Sequence, residues 1–190
     1  MSLWGNDIKP KNLTDAEKKE VFANKSGWVR EAGSVLSGNG NTGADPEVLV
    51  AISNLSANMG AANITEIEFV TTSFDKSDGG NIDVLVRFNE PVTVTGTPQV
   101  SITNGNQGSG TGRGPHLASY LSGSTTNELT FRFTLGAANA ATNENDVLVI
   151  GTNATALNSG TIKDTGEGTV ATITNSSAIG TAAGSITVAA

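Results

Sequence analysis

The chain has no cysteine, one histidine, one tyrosine and two tryptophans among its 190 residues. Without cysteine there is no disulfide framework, no thiolate nucleophile and no sulfur ligand for a metal. A single histidine, His116, excludes a multi-histidine zinc site. A serine-type triad would depend on that one side chain, and no GxSxG elbow accompanies it. His116 follows Gly114 and Pro115 and is expected in a surface loop. Charge is sparse as well. Charged residues make up 15% of the chain, against roughly 25% in an ordinary globular protein. No apolar run approaches the roughly 18 residues of a membrane span. The opening "MSLWGNDIKPKN" lacks the basic start and apolar core of a secretory signal, so neither membrane insertion nor signal-directed secretion is expected.

What the chain does hold is glycine, 23 residues of it, with much Thr, Ser, Asn and Ala. That composition suits short strands joined by tight turns, and frequent apolar alternation separates it from a disordered tail. The net charge is −7, unevenly spread: residues 1–62 hold six basic and seven acidic side chains, residues 63–190 five and eleven. An acidic surface of this kind repels phosphate backbones, so no nucleic-acid partner is expected. Its ordinary role is solubility.

The two segments differ in pattern. Within 1–62, "LTDAEKKEVFANKSG" predicts one short helix. Thr14 caps it and Glu17 stands at capping-box spacing. Asp15 and Glu17 suit its first turn, and Lys18 and Lys19 suit the turn after it. Val21 and Phe22 give it an apolar patch, and Gly27 is expected to end it. "EVLVAISNL" predicts a strand. From Asn63 onward the period becomes two. Strands are expected at Ile64–Thr71, Ile82–Phe88, Gln99–Thr103, Leu129–Leu135, Val147–Ile150, Val170–Thr174 and Ser185–Val188. Turn signals such as "SDGG", "SGSTTN" and "TGEG" separate them, the pattern of an antiparallel sandwich. In "IDVLVRF" the residues Ile82, Val84, Val86 and Phe88 share one face; in "LTFRFTL" Leu129, Phe131, Phe133 and Leu135 do the same. The expected fold is mainly β, an Ig-like antiparallel sandwich over 63–190 with a small α/β region over 1–62.

Chemical motifs are few. The loop "GSGTGRG" from Gly108 to Gly114 lacks the Lys-Ser/Thr of a phosphate loop and the spacing of a dinucleotide fingerprint; it reads as a hairpin tip. Three acidic groups stand at turns: Asp75, Asp78 and Asp83; Glu144 and Asp146; Asp164 and Glu167. Sandwich loops can gather such carboxylates around Ca²⁺, although none of the three has EF-hand spacing and solvated turn acids are the commoner case. No other cofactor is expected, and no catalytic residue is assigned.

Two resemblances add to this reading. "VLVRFNEPVTVTGTPQVSI", "LTFRFTL", "NENDVLV" and "ALNSGTIKDTGEGTVATIT" resemble the Ig-like repeat of a cyanobacterial cell-surface motility protein and of large bacterial surface proteins. That family implies a seven-stranded type of sandwich used as a spacer or sticky module, without catalysis. The long "NGNQGSGTGRGPH" insertion departs from its pattern. "LWGN", "LTDAEKKEVFANKSGWVREAG" and "EVLVAI" resemble the N-terminal region of small structural proteins of tailed phages of marine bacteria, including T4-like cyanophages. This second resemblance implies a non-enzymatic virion component, assembled in the host cytoplasm. Residues 1–62 would grip the particle and the Ig-like module would project. The implied partners are the major capsid protein or other virion proteins. Head decoration, a tail, neck or fibre location, and a bacterial surface adhesion module remain the alternatives, with homo-oligomer formation and weak host-surface contact open. Leu3, Trp4, Phe22 and Trp28 are the side chains expected at the partner contact, tryptophan being a favoured anchor; for Trp28 the competing place is a private core.

Overall fold

The computed structural model describes residues 9–10, 12–32, 45–105 and 114–190. The chain is mainly β, with a curled, sandwich-like body beside a small second sheet. The spine of the body is β6 (Gly80–Thr95), whose Ile82, Val84, Val86 and Phe88 are all buried, as the alternation requires. Its first half pairs antiparallel with β4 (Ile64–Phe69) and β9 (Thr126–Leu135), its second half with β11 (Thr161–Asp164). A register shift between Arg87 and Val92 separates the two halves. Pro91 lies inside that irregularity, where strands tolerate a missing N–H.

From β9 the sheet runs through β8 (His116–Ser122), β7 (Gln99–Gly105), β10 (Val147–Ala156) and β12 (Ser185–Ala189) to the two-residue β5 (Phe74–Asp75). The final β12–β5 pairing is parallel. Curling turns one face inward around a single core that includes Ile67, Phe88, Ile102, Leu129, Phe131 and Leu148. Helix α3 (Ser177–Ala182), capped by the Ser176 hydroxyl, lies against β10. Gly180 permits the approach: a Cβ there would stand 2.6 Å from the Ile150 carbonyl oxygen.

Helix α1 (Asp15–Lys19) has the capping box expected at Thr14 and Glu17. It is much shorter than the sequence pattern predicts. The chain turns instead into a hairpin of β1 (Val21–Asn24) and β2 (Gly27–Arg30), and β3 (Glu47–Ala51) completes the small sheet. The physical reason is that β1 and β2 are buried along almost their whole length. Strands covered on both faces show a continuous apolar run and no period of two. Gly27 does not end a helix. It opens β2 at φ +136°, and a Cβ there would sit 2.0 Å from the Val50 carbonyl oxygen, so only glycine fits the turn. Helix α2 (Leu55–Asn58) comes after β3, and Leu55 and Met59 pack on Val21, Ala23 and Trp28 as a second core.

Two further expectations need correction. Residues 170–174 form no strand; Val170 bridges Lys163 antiparallel and Thr172 bridges Asn63 in parallel, so the run divides between two neighbours. His116 is not in a surface loop. It opens β8, is 4% exposed, and stacks on Phe133 with ring centroids 4.9 Å apart. Alternation along β8 points His116 and Ala118 to the same buried side.

Candidate functional site

The small sheet meets the sandwich over the outer side of β4, β6 and β9. Residues 83, 85 and 87 of β6 point there by strand alternation. Arg87 is the hub. Its Nε donates to Glu128 at 2.6 Å, and its Nη1 donates to Glu68 at 2.7 Å and Glu66 at 3.1 Å. The N-terminal segment adds its own charges to this surface. Lys19 pairs with Glu66 and, at 3.9 Å, with Glu68. The Asn127 amide donates to Glu31 at 2.9 Å. Lys9 donates to the Lys18 carbonyl oxygen. Burial lowers the Lys9 ammonium to about 8, with Glu66 and Glu31 opposing the shift. Burial likewise pushes the Glu31 carboxyl up to about 7; the Glu128 charge adds to the rise, while the Asn127 hydrogen bond and Arg87 oppose it. Paired and hydrogen-bonded in this way, charges are tolerated at a half-buried interface where single ones would not be.

Of the four side chains expected at a partner contact, Leu3 and Trp4 lie outside the described residues. Trp28 is 4% exposed and belongs to the small core, and Phe22 is buried on β1. The turn acids are separated rather than gathered. Asp75 accepts from the Ser77 amide and hydroxyl, closing its own turn. Asp83 receives a two-pronged ion pair from Arg132, both contacts at 2.7 Å. Asp146 accepts from Asn104 and from the Asn143 amide. Among the described residues no group of three or more His, Asp or Glu side chains surrounds a common point. His116 is buried, which lowers its pKa against the opposing charge of Asp146.

One acidic pair is not visible in the turn pattern. Asp164 ends β11 opposite Val92 of β6, and its Oδ1 accepts from the Gly166 and Glu167 amides. Across the β6 irregularity stands Glu90, fully buried. Burial raises the Glu90 carboxyl to about 8; the Asp164 charge, a side-chain hydrogen bond with Asp164 and the Glu167 charge add to the rise. The signal in the sequence is local: "FNEPV" interrupts a clean alternation with two consecutive polar residues, Asn89 and Glu90, and both are buried. The Asn89 side chain accepts from the Asn63 amide at 2.7 Å, tying β6 to the start of β4. Two adjoining buried carboxyls can hold a shared proton or a cation.

Three clefts border this junction. The widest, about 470 Å³, is lined by Lys9, Trp28, Asn63, Asn89, Thr172 and Thr174 among others. A second, about 350 Å³, lies between Lys9, α1 and α3. A third, about 160 Å³, opens beside Asp164. Comparison of the chain with family models, with curated proteins and with solved structures gives no match.

Proposed function

We propose that the protein is a non-enzymatic structural component of a phage virion, most specifically a head decoration protein. Residues 1–62 would attach to the particle and residues 63–190 would project from it. The reading is founded on the resemblance of "LWGN", "GWVREAG" and "EVLVAI" to N-terminal regions of phage structural proteins. One structural observation supports it: the chain has two separate apolar cores, one within 21–59 and one within 62–188, joined through a charged seam. That arrangement lets one part be specialised for attachment without disturbing the packing of the other. With Phe22 and Trp28 buried, the proposed contact passes to Leu3 and Trp4.

The test mixes labelled full-length chain, wild type or Trp4→Ala, with purified empty heads and with tails of a T4-like cyanophage. Saturable binding to heads, weakened at least tenfold by Trp4→Ala, is the expected result. Binding to tails alone would move the protein to the tail, neck or fibre. Binding to neither, with adherence to bacterial cells, would replace the virion reading by a surface adhesion module.

A further inference from the structure

Of the nine buried side-chain polar atoms among the described residues that no other group is placed to bond, three belong to one pair of carboxyls. Both carboxylate oxygens of Glu90 and Oδ2 of Asp164 are buried, and nothing bonds them but the hydrogen bond the two carboxyls make with each other. Glu90 is 0% exposed and Asp164 2%. A buried carboxylate without compensation is costly, and two side by side are more so. Asp164 is also fixed in direction. Its Oδ1 is held by two backbone amides, while the Thr165 amide donates to the Pro91 carbonyl oxygen at 3.0 Å and locks the turn against the β6 bend. Oδ2 is therefore presented, not mobile. Gly166 keeps the place open, since a Cβ there would lie 3.1 Å from Asp164 Oδ1 and 3.9 Å from the Ser56 hydroxyl. A cleft leads in from the surface between Asn24, Ser56, Pro91 and Thr165.

We propose that Glu90 and Asp164 form a binding site for a divalent cation, Ca²⁺ in particular. Once the proton shared between Glu90 and Asp164 is displaced, the pair offers three carboxylate oxygens on a rigid strand-and-turn frame. Ca²⁺ accepts irregular geometry and about six to eight oxygens, so water admitted by the cleft that Asp164 and Ser56 line can complete its shell. Mg²⁺ demands near-octahedral order and loses water reluctantly, which suits a two-carboxylate pocket less well. Lys25 also lines the cleft, but it is exposed on the hairpin turn, and a bound cation would neutralise the pair where the ammonium stays in water. Because Asn24 and Ser56 belong to the small sheet and α2, the cation would sit where the two cores adjoin. Nothing in this site depends on the virion reading.

The experiment uses the full chain, freed of metal with chelator and dialysed, then melted across a CaCl₂ titration and followed in parallel by calorimetric titration. A binding site in the folded state should raise the midpoint by about 5–10 °C at roughly a hundredfold excess over the dissociation constant. Glu90→Gln and Asp164→Asn should remove that rise and the calorimetric binding signal, while Asp75→Asn, at an exposed turn, should keep both. With its carboxyl raised to about 8, Glu90 is mostly protonated at neutral pH in chelator, so the near-isosteric Glu90→Gln should fold and melt close to the wild type there. No Ca²⁺ response in the wild type would leave the pair holding a shared proton and overturn the proposal. A response that survives in Glu90→Gln and Asp164→Asn would overturn it equally.

Discussion

Replacing Arg87 by Met keeps much of the aliphatic length and removes the charge on which three glutamates converge. The Arg87 side chain is 15% exposed, and Glu66, Glu68 and Glu128 are 12%, 32% and 30% exposed. A solvent-exposed ion pair contributes about 0–1 kcal/mol, whereas removing one partner of a buried pair costs about 3–5 kcal/mol. Arg87 lies nearer the second limit. Glu66 and Glu68 would retain Lys19, but Glu128 would face Glu31 without its guanidinium. The expected loss is about 3 kcal/mol, or roughly 6–12 °C in Tm at about 2–4 °C per kcal/mol for a chain of this size. Urea denaturation of the wild type, Arg87→Met, Glu128→Gln and the double variant supplies the cycle, and a coupling energy above about 1 kcal/mol is expected. Salt should recover part of the Arg87→Met loss by screening the remaining carboxylates. A loss below about 1 kcal/mol, or additive effects at Arg87 and Glu128, would refute the view of this seam as a low-dielectric clamp.

Glu31 supplies a pH signature. Its carboxyl is raised from an ordinary 4.5 to about 7 in the folded chain, so the native state holds that proton more tightly than the unfolded one. Stability from this group should therefore fall as pH rises from about 4.5 to 7, by at most about 3 kcal/mol. Subtracting the Tm-versus-pH curve of Glu31→Gln from that of the wild type should isolate the fall; a difference curve that is flat or rises would show that Glu31 is not buried as described. At Gly27, alanine meets both a positive φ and the Val50 carbonyl oxygen. Gly27→Ala should cost about 3 kcal/mol or more and blue-shifted Trp fluorescence should be lost at lower urea; an unchanged unfolding midpoint would contradict the hairpin geometry.

The body of the fold is legible because its strands carry one wet face and one dry face. Ile82, Val84, Val86 and Phe88, with Leu129, Phe131 and Leu135, state their inward side directly in the order of residues, and all are buried. The hairpin at Val21–Arg30 is not legible for the opposite reason: covered from both sides, it loses the alternation, and a helix pattern runs on into it. His116 reads as loop because a turn signal, "GPH", stands immediately before a strand, and only the stacking with Phe133 shows where the ring goes. The Glu90–Asp164 pair depends on β6 meeting β11 across a long stretch of intervening chain. No local spacing encodes that meeting. Glu90 nonetheless leaves a trace, as a charged residue set where an apolar alternation should continue.

The pairing pattern also sets the tempo of folding. The small sheet begins from a tight hairpin, Val21 to Arg30, whose contacts are close neighbours in sequence. The sandwich closes only when distant segments meet: Asn63 with Thr172, β6 with β11, and Phe74 with Val188. Chain entropy must be spent on those loops before the contacts they bring can reward it, and such topologies fold on the order of milliseconds to seconds while local hairpins form in about microseconds. The β1–β2 hairpin is thus expected to form before the sandwich closes. Lys19 and Glu31 flank that hairpin, so their charges would stand ready when β4, β6 and β9 close over them.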